Sequence, residues 1–355
     1  MRLKTYLESL DWLRGISIIL MVFINFFDEI VKVSILKAPQ GLYIDLAVTS
    51  LIPNVFITIM GFLLIVNGRF SAGTVAAKAI KLLLLGYAIN LLRVPAPQLV
   101  GNLLGLTHFE DLTKQAVYHL SMVDIYSFVG YALLLVLPLT YARLSGGSYF
   151  ALAVFSLMAA SYGEELLEWM PDQLENIFSY LFIGEPRNVY FPIFPWIAYL
   201  FFGMGLGDLY LRQGKQAFYR WIAWGGVLCL AIGLPIFRSH FGPEFSMLKN
   251  FYKHDYSLGV ILIGITLLSM LAAEKLLHSL PGLLQRHLAY VSRRIVKMYF
   301  FSWIFTGWFV TLHGLNNTFG VCDSILGAAV VYLMSVACLR LWDHPGVSLQ
   351  IEKAG

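Results

Sequence analysis

The chain has 355 residues, of which 58% are hydrophobic and 13% are charged, against about a quarter charged in an average soluble domain. A water-soluble fold cannot bury this much apolar surface, so the composition excludes a soluble globular protein. The net charge is only +4. No basic stripe with interleaved aromatic residues is present, so nucleic acid is not an expected partner.

Apolar stretches long enough to cross a bilayer as helices recur along the whole chain. The predicted fold class is therefore all-α, a polytopic transmembrane helix bundle formed by a single domain over residues 1–355. Most of the 25 basic residues fall on one side of this arrangement, so the positive-inside rule places both termini in the cytoplasm. Hydropathy and the turns between the apolar stretches predict about ten spans, at residues 13–30, 46–67, 76–93, 119–141, 149–162, 190–210, 220–237, 257–275, 293–313 and 321–341.

Two further patterns predict local structure. The connection over residues 163–189 carries apolar residues at helical spacing opposite acids, which predicts an amphipathic helix at the membrane interface, either a plain connection or a lid. Gly203, Gly205 and Gly207 alternate within an apolar stretch. Because no strand precedes them, these glycines indicate close helix packing rather than a nucleotide-binding loop.

Polar and ionisable residues inside spans are costly in lipid and often mark function. Asp11 and Arg14 are three residues apart and share a helix face, where they form either a functional pair or a snorkelling ion pair at the interface. Asn25 and Asp28 share a face in the same way, further along the first span. An amide can orient a carbonyl group and a carboxylate can take a proton, which suits group transfer. The alternative is that Asp28 and the adjacent Glu29 are solvated at the headgroups.

Asp45 and Asp124, near the second and fourth spans, add polar side chains on the predicted outer side, where such a set can line a cavity. The chain has no spacing typical of metal ligands, so no metal is expected.

Four segments share a recognisable order along the chain. The first is Leu10–Asn25, with Asp11-x-x-Arg14-Gly15 and a closing Asn25, and the others are Pro53–Gly61, Asp124–Gly130 and Phe191–Gly203. Arg293 and Tyr299 form a weaker fifth element. Together they resemble the membrane acyltransferases typified by heparan-α-glucosaminide N-acetyltransferase, within the wider transmembrane acyltransferase superfamily.

The resemblance implies an enzyme that moves an acyl group, most simply acetyl, from cytoplasmic acetyl-CoA or another acyl-CoA to a sugar hydroxyl or amine across the membrane. The acceptor would be a cell-envelope glycan or lipid-linked sugar. Carried over by position, Asn25 would belong to the acyl-transfer centre and Arg14 to the acyl-CoA side. Contact with membrane lipid, a homodimer and a location in the bacterial inner (plasma) membrane are further expectations.

The chain also departs from the family pattern. The family's catalytic histidine follows the first span, whereas residues 26–45 contain no histidine. Ser127 and Ser302 stand where the family has histidines in the fourth and penultimate spans. Either Asp28, Glu29 or His119 then serves as the base, or the transfer step is lost.

Three functions therefore stay open: an acyl-CoA-dependent acyltransferase, a transporter or flippase-like carrier of a polar substrate, and a catalytically silent relative. The candidate residues for the first are Asn25, Asp28 and His119 for catalysis, Asp11, Arg14, Arg293 and Tyr299 for acyl-CoA, and Asp45, Asp124, Ser127 and Ser302 for the acceptor.

Overall fold

The structure is a computed structural model that describes residues 2–36, 52–68, 70–142, 144–167, 169–183, 189–241, 251–315 and 317–343. These ranges hold a π-helical turn (Ser179–Ile183), a 3₁₀ turn (Leu277–Ser279) and two isolated β-bridges, and no strand occurs within them. Their α-helices are α1 (Arg2–Ile30), α2 (Val33–Leu36), α3 (Pro53–Val66), α4 (Ala72–Arg93), α5 (Pro95–Leu103), α6 (Leu112–Leu120), α7 (Ile125–Val136), α8 (Leu139–Ala142), α9 (Gly146–Ser161), α10 (Gly163–Leu167), α11 (Asp172–Phe178), α12 (Ile193–Phe241), α13 (Tyr256–Leu276), α14 (Gly282–Arg293), α15 (Ile295–His313) and α16 (Val321–Trp342).

Each of the ten predicted spans overlaps one of these helices, which confirms the all-α membrane fold. Three shorter apolar helices, α3, α7 and α9, cover three of the predicted spans. The number of crossings and the side on which the termini lie stay predictions. Within the described ranges, six segments are long and apolar enough to cross a membrane, namely Glu8–Ile30, Ala72–Leu103, Ile193–Ser239, Tyr256–Ser279, Ile295–His313 and Val321–Trp342.

The predicted spans at 190–210 and 220–237 lie on one helical run, α12. Its 49 residues would extend for about 70 Å at a rise of roughly 1.5 Å per residue, more than twice the roughly 30 Å of a hydrocarbon core. Gly214 interrupts the run with non-helical backbone, at φ 74° and ψ 173°. This left-handed φ favours glycine, so α12 consists of two helices that join at Gly214.

The chain divides into two compact units, and each is assembled from distant parts of the sequence. The first unit comprises Met1–Leu10, Ser50–Ala88 and Leu120–His278, and the second comprises Asp11–Thr49, Ile89–His119 and Ser279–Gly355. The single domain over residues 1–355 stays a prediction.

Glycines allow the helices of the first unit to approach closely. A Cβ atom on Gly203 of α12 would lie 2.0 Å from the carbonyl oxygen of Thr58 on α3. Likewise, a Cβ atom on Gly61 would lie 2.2 Å from the carbonyl oxygen of Leu200. Real Cβ atoms do not approach backbone oxygen this closely, so the prediction that Gly203 serves helix packing is confirmed.

Buried polar side chains also join elements of the first unit. The Asn54 side chain donates to the carbonyl of Leu262 at 3.2 Å and to the hydroxyl of Thr266 at 2.9 Å, tying α3 to α13. Tyr199 and His254 share a hydrogen bond of 2.6 Å. Burial lowers the pKa of His254 to about 4, so this imidazole stays neutral at physiological pH.

The predicted amphipathic helix over 163–189 is wrong as one element. The helical parts of its described residues are α10, α11 and the π-helical turn, and α11 begins directly after Pro171, which has extended backbone at φ −62° and ψ 140°. Proline has no N–H group to donate, and its ring disfavours helical backbone at the preceding residue. The apolar spacing therefore continues across a break in the helix.

Candidate functional site

A first cluster in the second unit, the Asp11 cluster, comprises Asp11, Arg14, Ser292 and Arg293. The Arg14 guanidinium lies 3.3 Å from an Asp11 carboxylate oxygen, so the predicted pair is confirmed. Ser292 at the end of α14 donates to the same oxygen at 3.5 Å, and Arg293 interacts electrostatically with Asp11. Three of the four residues predicted for acyl-CoA thus come together where α1 meets α14.

Gly15 explains how α14 comes so near α1. A Cβ atom on Gly15 would lie 2.5 Å from the carbonyl oxygen of Leu288. The glycine that follows Arg14 in the motif therefore has a steric role, because any side chain there would separate Asp11 from Ser292.

A second cluster, the Arg93 cluster, comprises Glu29, Arg93, His119 and Trp303, and it also lies in the second unit. Arg93 is the last residue of α4 and is buried, with 7% of its surface exposed. Its guanidinium lies 4.7 Å from the centre of the Trp303 ring. It also interacts electrostatically with both Glu29 and His119. Four helices, α1, α4, α6 and α15, therefore converge on one buried cation.

Helix α15 fixes the end of α4. Pro95 follows shortly after Arg93, and proline cannot continue the hydrogen-bonding pattern of α4. The Trp308 indole donates instead to the exposed carbonyl of Leu92 at 2.9 Å. A Cβ atom on Gly307 would lie 1.9 Å from the carbonyl oxygen of Arg93. The position of Arg93 thus depends on direct backbone contact with α15.

His119 lies on α6, outside the spanning helices, because the apolar helix predicted to begin at residue 119 begins at Ile125. Burial lowers the pKa of His119 to about 4, and the positive charge of Arg93 lowers it as well. Its Nδ1 atom is buried and has no hydrogen-bond partner within the described ranges. His119 is therefore a neutral imidazole at physiological pH, and such a group can accept a proton.

The other predicted catalytic residues lie on α1. Asn25 is half-buried and lies one helical turn before Glu29, so the two residues share a face. Glu29 is half-buried and interacts with Arg93, whereas Asp28 is exposed. Of the two adjacent carboxylates, the structure places Glu29 at the Arg93 cluster.

Tyr299 and Ser302 are both buried on α15. The Tyr299 ring packs edge-to-face on Trp303, with the ring centres 6.2 Å apart, so Tyr299 lies beside the Arg93 cluster. The Ser302 hydroxyl donates to the carbonyl of Tyr299 at 3.0 Å, a bond within its own helix.

The remaining predicted acceptor residues belong to the first unit or lie outside the described ranges. One Asp124 carboxylate oxygen accepts the backbone N–H groups of Tyr126 and Ser127, both at 3.0 Å, and thereby caps α7. The Ser127 hydroxyl packs against Gly86 of α4. Asp45 lies outside the described residues. Within the described ranges no group of three acidic, histidine or cysteine side chains is arranged to hold a metal ion.

Sequence reasoning missed Arg93 and Trp303. A basic residue at the end of a span usually snorkels toward the headgroups, and a tryptophan in an apolar stretch usually packs against other apolar groups. One sequence signal was available: Arg93 lies two residues before Pro95, and a proline there predicts that the helix ends near Arg93. The last carbonyl groups of a helix need hydrogen-bond partners, so other elements are expected to pack near such an end.

Comparison with known proteins identifies the family of the chain. Residues 7–232, more than half of the chain, match the family described as heparan-alpha-glucosaminide N-acetyltransferase, catalytic. No curated protein and no solved structure matches the chain. The matched range contains Asp11, Arg14, Asn25, Arg93 and His119. The chain is therefore an integral membrane protein that belongs to the heparan-alpha-glucosaminide N-acetyltransferase catalytic-domain family, whose function is of the membrane acetyltransferase type.

Proposed function

We propose that this protein transfers an acyl group, most simply acetyl, from cytoplasmic acyl-CoA to a hydroxyl or amine of a cell-envelope glycan or lipid-linked sugar, in a bacterial plasma membrane. One observation carries the proposal. Within the Arg93 cluster, a neutral histidine and a carboxylate both interact electrostatically with a buried guanidinium, and the carboxylate, Glu29, lies one helical turn from Asn25. These are the groups that acyl transfer needs once the family's usual histidine is absent.

The Asp11 cluster is the proposed site for the donor. Acyl-CoA carries several phosphate groups, and guanidinium groups bind phosphate through charge-assisted, paired hydrogen bonds. Arg14 and Arg293 would supply these cations. Asp11 would hold Arg14 in place through the 3.3 Å contact.

The Arg93 cluster would carry out the transfer. As the acceptor oxygen or nitrogen attacks the thioester carbonyl carbon, His119 takes the proton that the acceptor loses. The carbonyl electron pair moves onto oxygen, where Arg93 and the amide of Asn25 stabilise the negative charge. When that charge collapses back, the carbon–sulfur bond breaks and the proton on His119 passes to the sulfur of CoA. Glu29 would offset the charge of Arg93 throughout.

An apolar groove supports an acceptor with a hydrocarbon part. This groove has a volume of about 330 Å³ and is lined by Phe26, Trp308 and Phe309, among other apolar side chains. Phe26 directly follows Asn25, and Trp308 holds the carbonyl of Leu92 next to Arg93. The lipid portion of a lipid-linked sugar would lie here, with its sugar toward the Arg93 cluster.

Binding and turnover of labelled acetyl-CoA by the protein in nanodiscs test the proposal. We expect Arg14→Ala to lose binding, and Asn25→Ala and His119→Gln to bind the donor while failing to transfer the label or release CoA. Arg286→Ala is the matched control, because Arg286 is an exposed arginine of α14 outside the Asp11 cluster.

Two results would contradict the proposal. Absence of binding at millimolar acetyl-CoA and at longer acyl-CoAs would favour a carrier. Binding of acyl-CoA without turnover on any glycan or lipid-linked sugar would favour a silent relative.

A further inference from the structure

A groove in the first unit, the Arg220 groove, is lined by none of the residues assigned above. It forms between the second half of α12 and the end of α13 and has a volume of about 530 Å³. Basic and aromatic side chains line it together with Leu271: Lys215, Tyr219, Arg220, Trp224 and Lys275. Since both helices belong to the same unit, the groove is defined by the packing of α12 on α13.

The charges in the Arg220 groove are not balanced locally. Lys215 forms an ion pair with Glu274 at 2.5 Å, and Glu274 also accepts from the hydroxyls of Ser9 at 2.7 Å and Tyr219 at 3.0 Å. That carboxylate is therefore fully engaged. Within the described part of the chain, no acid forms an ion pair with Arg220 or Lys275. The groove thus keeps two uncompensated positive charges on facing helices.

Apolar surface continues from these cations along the groove. Leu271 lies one helical turn before Lys275, and Trp224 lies one turn beyond Arg220. The Trp224 side chain is 75% exposed. Exposed tryptophan on a membrane helix is typical of the boundary between headgroups and hydrocarbon. A ligand here would place an anion at Arg220 and Lys275 and hydrocarbon along Trp224 and Leu271.

We propose that the Arg220 groove binds the headgroup phosphate of an anionic phospholipid, with an acyl chain beside Trp224 and Leu271. Basic pockets between transmembrane helices bind anionic headgroups because charge and hydrocarbon are matched at the same depth. A soluble phosphate compound would use the cations alone and leave the apolar half exposed to lipid. This site is independent of the acyl-transfer proposal.

Native mass spectrometry of the protein from nanodiscs of phosphatidylcholine doped with phosphatidylglycerol tests the site. We expect the wild type to retain phosphatidylglycerol. Arg220→Gln and Lys275→Gln should each weaken retention about fivefold, because one basic group near an anionic surface raises the affinity by about that factor. Trp224→Ala should weaken retention of both lipids. Arg238→Gln is the matched control, since it removes an exposed arginine of α12 that does not line the groove, and it should retain phosphatidylglycerol like the wild type.

Three outcomes would overturn the proposal. One is equal retention of phosphatidylglycerol by Arg220→Gln, Lys275→Gln and the control. Another is displacement of phosphatidylglycerol by millimolar inorganic phosphate or CoA, which would identify a soluble phosphate ligand. The third is a dimer in the wild type that dissociates in Arg220→Gln with unchanged lipid retention, which would identify a second copy of the chain as the occupant.

Discussion

At the residue scale, the environment of His119 determines its protonation state. Its pKa is lowered from 6.5 to about 4, first by burial and then by Arg93. In the proposed mechanism the neutral form of His119 is the proton acceptor, so His119 would be competent wherever the pH exceeds its pKa. We expect kcat/KM for acyl transfer to be flat from about pH 5.5 to 8 and to fall only as the pH approaches 4.

Substitution of Arg93 tests the cause of this shift. Arg93→Gln removes the positive charge that opposes protonation, so the acidic limb of the pH–rate profile should move upward, toward the ordinary histidine pKa of 6.5. His119→Gln should lose about 100-fold or more in rate at every pH, whereas His108→Gln, an exposed histidine of the same unit, should not. An acidic limb that stays in place in Arg93→Gln would show that Arg93 does not lower the pKa of His119, and wild-type turnover in His119→Gln would contradict its assignment as the base.

The two adjacent acids of α1 offer a matched comparison. Glu29 interacts with Arg93, whereas Asp28, at the preceding position of the helix, is exposed. Glu29→Gln leaves the charge of Arg93 unbalanced, so we expect about a tenfold or greater loss of turnover. Asp28→Asn should change turnover less than about twofold, as is usual for an exposed position. Turnover of labelled acetyl-CoA measures both variants. Equal losses of turnover in Glu29→Gln and Asp28→Asn would contradict a specific role for Glu29.

The difference between the two clusters shows what sequence reasoning can reach at this scale. Asp11 and Arg14 are three residues apart, so helical geometry alone predicts their contact. Glu29, Arg93 and His119 are far apart in the chain, and only the packing of α1, α4 and α6 in the second unit brings them together. The same limit applies to the two carboxylates of α1. Asp28 and Glu29 both share a helix face with Asn25, so the sequence does not show that Glu29, and not the predicted Asp28, interacts with Arg93.

At the scale of the element, the contact of α15 with the end of α4 positions the Arg93 cluster. A Cβ atom on Gly307 would lie 1.9 Å from the carbonyl oxygen of Arg93. Gly307→Ala must therefore displace the backbone, and overpacking of this kind costs about 1–3 kcal/mol. We expect a lower temperature of thermal unfolding and a loss of turnover of about tenfold or more, with acetyl-CoA binding retained because the Asp11 cluster lies elsewhere in the unit.

Gly73→Ala is the control for that experiment. Gly73 lies in the first turn of α4, and a Cβ atom there would meet no atom within 4 Å. Alanine favours the helix relative to glycine, so stability and turnover should be unchanged or slightly raised. Wild-type turnover in Gly307→Ala would show that the contact between α15 and α4 does not position the site.

Element boundaries were predictable where composition changes and unpredictable where backbone geometry decides. The apolar helices overlap the predicted spans because hydropathy marks them directly. The break at Pro171 and the start of α7 at Ile125 were missed, since the apolar spacing runs across both. In each case a single residue decides the boundary: Pro171 has no N–H group to donate, and the Asp124 carboxylate caps the first turn of α7.

At the scale of the whole molecule, the orientation in the membrane follows from the number of crossings and the distribution of basic residues. The length of α12 and the left-handed backbone of Gly214 support two crossings where the helical run is continuous. Arg212, Lys215 and Arg220 surround that junction. Basic residues in short loops stay on the cytoplasmic side, so Gly214 should lie there.

Reporter fusions check this orientation. The positive-inside rule places the N-terminus in the cytoplasm, and ten crossings place the C-terminus on the same side. Green fluorescent protein folds and fluoresces in the cytoplasm, so a fusion after residue 355 should fluoresce. Alkaline phosphatase inserted after Gly105, in the predicted outer connection over residues 94–118, should be active, and the same insertion after Gly214 should be inactive. If phosphatase is active at Gly214, α12 does not return at its glycine and the ten-span arrangement fails.

If both insertions are inactive while the fluorescent fusion works, Gly105 lies in the cytoplasm. The Arg93 cluster, whose cation ends α4 just before that connection, would then face the same side as the acyl-CoA pool, and transfer across the membrane would lose its structural basis.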